Sequence, residues 1–392
     1  MEDRELAAVI DMGSSTTAMA LGELLPRGRV NITAWAATPS AGIAKSRIVD
    51  MKQAQYTIAT VVKKLSDIAE WEIETAQAVV SGAHVSTRRA LAKCALPGRI
   101  VREENLDDLS ENARTNAGTP DGRVQLHREE VGWRLDGVGE VENPLGMEGS
   151  SLVLETLYVE ADAARFHDMQ NAAAAAHLEL AEPSSAGVCA AMGCSSARER
   201  NEGTLFIDLG AGTANWTVFS KGSIAATGAL GVGSDHVTND ISQAFACSRP
   251  CAEELKKCAN AVLSRDASRR IPLPSAFSAR DGATISRRSL DTVVNARLSE
   301  TFSIIRQMTE SQGVGHLVHG VVLTGGGAMQ NGIAELAGSL FGCPASIGRI
   351  SPDVTFSDDC RAMIAVPEAQ LATIAGAFLL LSQNADVRED DD

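Results

Sequence analysis

Three glycine turns follow apolar runs in this chain, and their side chains are of the types that hold a metal-bound polyphosphate. The first is Asp11-Met12-Gly13-Ser14-Ser15-Thr16. The second is Asp208-Leu209-Gly210-Ala211-Gly212-Thr213, with Asn215 two residues on. The third is Leu323-Thr324-Gly325-Gly326-Gly327-Ala328, with Met329 beside it. Glycine lets a backbone approach phosphate closely, and successive N–H groups then make an anion nest. The hydroxyls of Ser14, Ser15 and Thr213 add donors. Asp11 and Asp208 end their strands. If the two units are related by a pseudo-twofold, both carboxylates face one point and suit a Mg²⁺ that keeps most of its waters. A single such turn is the ordinary end of a strand; the ordered set carries the information. It is neither a P-loop nor a dinucleotide-binding fingerprint, because GxxxxGK[ST] is missing and no GxGxxG opens a βαβ unit.

The elements that must position these turns can be read around them. Leu6–Asp11, Ala18–Leu24 and Val30–Ala36 are three strands joined by short turns. Apolar residues at helical spacing run from Met51 to Glu70, and Ala76–Ser81 is a short strand. Ser151–Val159 is a strand and Ala161–His177 an Ala-rich helix. Thr204–Asp208, Trp216–Phe219 and Ile224–Ala229 repeat the architecture of residues 6–36. Helices cover Val237–Phe245, Ala252–Leu263, Leu290–Ser311 and Gly332–Phe341, and Gly320–Leu323 is a buried strand. The stretch 264–290 reads as loop. Residues 101–150 differ from the rest, with 12 acidic against 5 basic residues, and read as a small inserted unit. The last nine residues, NADVREDDD, read as a disordered acidic end.

The 392 residues allow two or three domains. A net charge of −15 argues against a general nucleic-acid surface or adsorption to anionic lipid, and 4% aromatic residues are too few for base stacking. The start, MEDRELAAVIDMG, has no basic segment followed by an apolar one, so no signal peptide is expected. No apolar run approaches the ~20 residues of a membrane span. The eight cysteines form no CxxC pair and no zinc pattern. They read as reduced thiols of a cytosolic protein, those at 247, 251 and 258 as helix packing.

The ordered turns resemble those of the actin-like ATPase superfamily, which includes actin, MreB, DnaK-type chaperones and sugar kinases. That resemblance implies two lobes, each a duplicated RNase H-like α/β domain, clamping ATP and Mg²⁺. Ala181-Glu182-Pro183-Ser184-Ser185-Ala186 resembles the Glu-Pro-x-x-Ala segment of MreB and DnaK-type proteins. It implies that Glu182 positions or polarises the attacking water; the plainer reading is a helix N-terminal acid. Within the superfamily, the chain resembles FtsA from residue 8 to about 381. The matching segments are Ser40-Ala41-Gly42-Ile43-Ala44-Lys45-Ser46-Arg47-Ile48-Val49-Asp50, Ser81-Gly82-Ala83-His84-Val85-Ser86 and Asn143-Pro144-Leu145-Gly146-Met147-Glu148-Gly149. The resemblance implies a first lobe of 1–84 and 161–203, an inserted FtsA-type subdomain of 85–160, and a second lobe of 204–382 with a helical part around 245–312. Residues 383–392 remain as the tail. Ala252-Glu253-Glu254-Leu255-Lys256 resembles the family helix whose polar residues approach the nucleoside, so Glu253 and Lys256 become contacts; otherwise they are a solvated face. His84, His316 and His319 read as structural. The implied function is a filament-forming, cytoplasmic division protein that binds the FtsZ tail and meets other division proteins through its insert.

Two departures qualify this. Thr16 stands where relatives place a lysine, and Ala211 and Asn215 replace a glycine and an aspartate. A missing cation on the β/γ-phosphates weakens phosphoryl transfer, so ATP binding with slow or undetectable turnover is expected. FtsA-type chains typically end in a basic amphipathic helix; NADVREDDD cannot act as one, so either a partner carries the protein to the membrane or it works in the cytosol. Three other readings stay open: a PilM-type ATP-binding scaffold of pilus assembly, an actin-like small-molecule kinase, and a DnaK-like chaperone. The kinase lacks an identifiable catalytic Asp, and the chaperone lacks room for a substrate domain after residue 382.

Overall fold

Alternating and fully apolar runs make the strands, and two sheets of matching order result. The structure is a computed structural model. It describes residues 5–116, 118–263, 269–272 and 284–391, apart from the side chains of Asn116, Glu182 and residues 386–391. In the first sheet Glu5–Met12, Thr16–Leu25 and Arg29–Pro39 form an antiparallel meander. Thr75–Val80 and then Glu179–Ser185 add in parallel beside Glu5–Met12. The second sheet repeats this plan. Its meander is Thr204–Leu209, Ala214–Ser220 and Ser223–Leu230, and Gly320–Thr324 and Ala345–Ile347 add in parallel. The registers correspond as well. Asp11 lies opposite Ala18 and beside Val79, as Asp208 lies opposite Asn215 and beside Thr324.

Two helices fill the space between the sheets. Ala186–Cys194 is apolar on every side, and all nine of its residues are buried, as such a helix requires. Ala372–Asp391 crosses it at two glycines. A Cβ on Gly193 would strike the Ala372 carbonyl, and one on Gly376 the Cys189 carbonyl. The outer face of the first sheet carries Met51–Ala69, capped by Asp50 and burying Ile58, Val61, Val62 and Leu65. The second sheet carries Ser234–Phe245, Arg249–Cys258 and Arg287–Ser311 around Leu290, Val294 and Phe302.

The insert is an antiparallel sheet in the order Ser86–Ala95, Ser151–Asp162, Arg123–Leu135, Val138–Val141. The helix Glu103–Asn116 covers one face over a core of its own, including Leu109, Leu135, Leu152 and Leu154. It also reaches the second lobe. Arg89 Nη2 donates to Ala225 O at 2.6 Å, and Lys221 pairs with Glu140 at 2.6 Å.

Several expectations are corrected. Residues 204–382 do not all belong to the second lobe. Val354–Phe356 pairs with Arg29–Pro39 in the first sheet, and Ala372–Leu380 lies in the first lobe's core. The cause is space: Gly22 leaves a gap in the first sheet that the Phe378 ring enters. The tail is not disordered throughout, because the last helix continues to Asp391; residues 377–391 contain neither Gly nor Pro to stop it. Arg270–Pro272 and Thr284–Ser286 form a ribbon within the stretch read as loop, and Arg287 already starts a helix. Glu182 lies on a strand with a bulge between Ala181 and Ser184, not at a helix start. All eight cysteines are free thiols. No helix among the described residues is long and apolar enough to cross a membrane.

Candidate functional site

Equivalent strand ends bring Asp11 and Asp208 to the floor of the cleft between the lobes. Burial, and then the charge of Asp208, push Asp11 up to about 7. Burial raises Asp208 to about 6, against the pull of a hydrogen bond from Asn215. That bond runs from Asn215 Nδ2 to Asp208 Oδ2 at 3.0 Å. Two carboxylates that resist ionising together, with no cation among the side chains that shift them, are suited to a divalent cation.

The two phosphate-type turns close over this floor from opposite sides. Gly13 cannot carry a side chain, because a Cβ would sit 2.7 Å from Thr16 O. Ser40 braces that turn: its hydroxyl donates to Gly13 O at 2.7 Å and contacts the buried Thr17 hydroxyl at 2.8 Å. The second turn is held from behind, where Ser234 N donates to Gly210 O and Asp235 N to Ala211 O, each at 2.9 Å. Among the described residues no carbonyl accepts from the N–H of Ala211 or Gly212. These donors are the kind a phosphate uses. A Cβ on Gly212 would collide with Ser14 Oγ, so the turns touch across the cleft. Ala211 has no positive φ, and its methyl does not strain the turn.

The third turn adjoins both. Gly325 has φ +81°, and a Cβ there would lie 2.5 Å from Asp208 Oδ1. Gly326, Gly327 and Met329 then line a pocket of about 110 Å³ with Lys256, Ser234, Val237 and Gln330. Lys256 donates to Thr238 Oγ1 at 2.8 Å and pairs with Glu253 at 2.9 Å. Burial opposes the charge on Glu253, but Thr238 and Lys256 outweigh it and hold its carboxyl below the usual range. Neither residue is a freely solvated face. Lys256 lines the pocket, while Glu253 braces it.

The structure therefore gathers Asp11, Gly13, Ser14, Asp208, Gly210, Gly212, Thr213, Asn215 and Gly325 around one floor. Gly326, Gly327, Met329 and Lys256 line the adjoining pocket. Ser15 and Thr16 are exposed. The side chain of Glu182 lies outside the described residues. Sequence reasoning did not assign Ser40, Ser234 or Gln330 to the site; small hydroxyl and amide residues carry no spacing signal of their own. His84 is pulled down to about 4 by burial first, with Arg165 adding to it, so it is neutral near pH 7.

The family model for the cell division protein FtsA matches residues 205–376, and that for the SHS2 domain inserted in FtsA matches residues 82–159. The cell division protein FtsA of Pseudomonas aeruginosa is 27% identical over 343 residues, covering 86% of this chain and 82% of the relative. That of Escherichia coli K12 is 25% identical over 358 residues, covering 88% and 84%. That of Agrobacterium fabrum is 28% identical over 364 residues, covering 88% and 81%. Among solved structures, the PilM-PilN type IV pilus biogenesis complex aligns with a TM-score of 0.64 at 15% identity, covering 97% of this chain and 99% of that one. MreB5 of Spiroplasma citri bound to ADP aligns with a TM-score of 0.57 at 13% identity, covering 98% and 99%. These likenesses show the two-lobed actin-like fold.

Proposed function

Because the chain belongs to the FtsA family of cell-division proteins, we propose that it binds ATP with Mg²⁺ between its lobes, assembles into filaments, and links the tail of FtsZ to the division machinery. The observation that carries the nucleotide reading is the pairing of Asp11 and Asp208 at equivalent registers beneath two facing glycine turns. Asp11 and Asp208 would hold the cation through its waters. Gly13–Thr16 and Gly210–Thr213 would hold the phosphates by N–H and hydroxyl groups. Lys256, Gly326, Gly327 and Met329 would enclose the nucleoside. The cation supplies charge neutralisation on the phosphates. Glu182 is proposed to orient the attacking water. Thr16 offers no ammonium in the first turn, so turnover should be slow. The insert, residues 85–160, is proposed as the surface for other division proteins. The protein would work in the cytoplasm against the inner face of the membrane at the division site.

Sedimentation without nucleotide, with ADP·Mg²⁺ and with ATP·Mg²⁺ tests assembly, with negative-stain images of any pellet. Filaments that need ATP are expected. A protein that binds ATP tightly and stays monomeric would point instead to a PilM-type scaffold.

The carboxylate pair gives a pH prediction with a defined sign. Asp11 and Asp208 have folded pKa values near 7 and 6, above the ordinary 3.8. Such groups favour the folded state below pH ~4 and lose that contribution as pH rises through the folded values. Asp11→Asn removes one charge from the pair. Without nucleotide, Asp11→Asn should melt above the wild type at pH 8, and the gap should narrow below pH ~7 and close only below pH ~4. A constant difference between pH ~8 and pH ~4 would show that burial and the facing Asp208 do not raise Asp11 in the folded protein.

A further inference from the structure

Ser81 directly follows the strand Thr75–Val80 of the first lobe, yet its hydroxyl engages the second. It donates to Asn215 Oδ1 at 2.8 Å and lies 3.1 Å from Thr213 Oγ1. The directions follow by elimination. Asn215 must present its NH₂ to the Asp208 carboxylate, so its oxygen faces Ser81 and can only accept. The one Ser81 proton is thereby used, and the Thr213 hydroxyl must donate to Ser81. A single directed chain results: Thr213 to Ser81 to Asn215 to Asp208.

The other end of Ser81 is mechanically connected. Gly82, at φ +118°, turns the backbone, Val85 N closes that turn on Gly82 O at 2.9 Å, and the insert's first strand starts at Ser86. A Cβ on Gly82 would sit 3.0 Å from the His84 ring, so the turn is packed tightly. A Cβ on Gly231 of the second lobe would just reach the Ala83 methyl, at 3.9 Å. One stiff turn thus separates the hydrogen-bond chain from the insert.

We infer that Ser81 is a positioning residue that reports occupancy of the phosphate turns to the stem of the insert. Thr213 has one hydroxyl proton. A phosphate oxygen bound in the second turn competes for it, and Ser81 then loses that tie. The insert's stem is held more firmly when the turn is empty than when it is filled. This rests on the proposed binding of ATP in the cleft.

Hydrogen–deuterium exchange on the full chain tests it, with the wild type, Ser81→Ala and Ser81→Thr, each with and without ATP·Mg²⁺. In the wild type, ATP should slow exchange in the turns at 12–16 and 209–213. It should speed exchange at 82–95 by about threefold or more, the scale of one net hydrogen bond. Ser81→Ala should show the faster rate at 82–95 without nucleotide and no further change with it, while its turns are still protected. Ser81→Thr keeps the hydroxyl and should restore both levels. Protected turns with an unresponsive stem in the wild type would overturn the inference and leave nucleotide binding standing. So would a Ser81→Ala stem that still responds. Unprotected turns in the wild type would remove the ATP reading, and the nucleotide-free arm then decides: equal stem exchange in wild type and Ser81→Ala rejects the tie itself.

Discussion

Gly376→Val should collapse the first lobe. A Cβ at residue 376 meets the Cys189 carbonyl, with Gly193 N only 2.6 Å away, and one at residue 193 meets the Ala372 carbonyl. Both obstacles are backbone, so no rotamer change relieves them. Helices Ala186–Cys194 and Ala372–Asp391 would have to separate, and between them they fill the layer between the sheets. Overpacking typically costs ~1–3 kcal/mol when side chains can yield; here they cannot. A cost of about 3 kcal/mol or more lowers Tm by on the order of 10 °C at ~2–4 °C per kcal/mol. Gly376→Ala should lie between, since better helix propensity returns about 1 kcal/mol. Gly132→Ala is the control, because nothing lies within 4 Å of its Cβ. A Gly376→Val protein that melts with the wild type would show that the glycine crossing is not required.

Asp208→Ala should abolish the Mg²⁺ dependence of nucleotide binding. The carboxylate faces Asp11 beneath both turns and takes the Asn215 amide at 3.0 Å. Losing one of two anionic groups that hold a hydrated cation should weaken ATP·Mg²⁺ by roughly 100-fold, at 1.4 kcal/mol per tenfold. Metal-free ATP should bind nearly as in the wild type, because the turns themselves remain. The variant should fold, since Asp208 costs stability while ionised. Titration calorimetry with and without Mg²⁺ separates these arms. Equal Mg²⁺ enhancement in both proteins would place the cation elsewhere.

The parts of this structure that were legible in the sequence are the local ones. Asp11 and Asp208, each followed by a glycine turn and a second strand, announce themselves because strand, turn and carboxylate lie within six residues. The meanders are visible for the same reason. The strand Glu179–Ser185 was hidden by Pro183, which argues against a central strand; the bulge beside Ala181 accommodates it. Val354–Phe356 is too short to show a period, and its partner lies more than 300 residues away. Ser40 as a brace of the first turn and Ser81 as a link between the lobes were invisible because a serine's role depends on what faces it. The acidic end read as disorder from its charge, whereas the helix arrives there already nucleated by the buried run from Ala372 to Leu380.

The return of Val354–Phe356 and Ala372–Asp391 to the first lobe sets an order for biosynthesis. Residues 204–347 hold the complete second sheet, so the nascent chain can close that lobe while translation continues. The first lobe, begun earlier, must wait. Its face at Gly22 stays open to water until Phe378 leaves the ribosome. At about 5–20 residues per second this exposure lasts roughly 10–40 s after Ser185 is made. The half of the molecule synthesised first is thus the half finished last, and it is the natural client of a chaperone. Any cut that removes the final helix should leave a folded second lobe tethered to an aggregating first one.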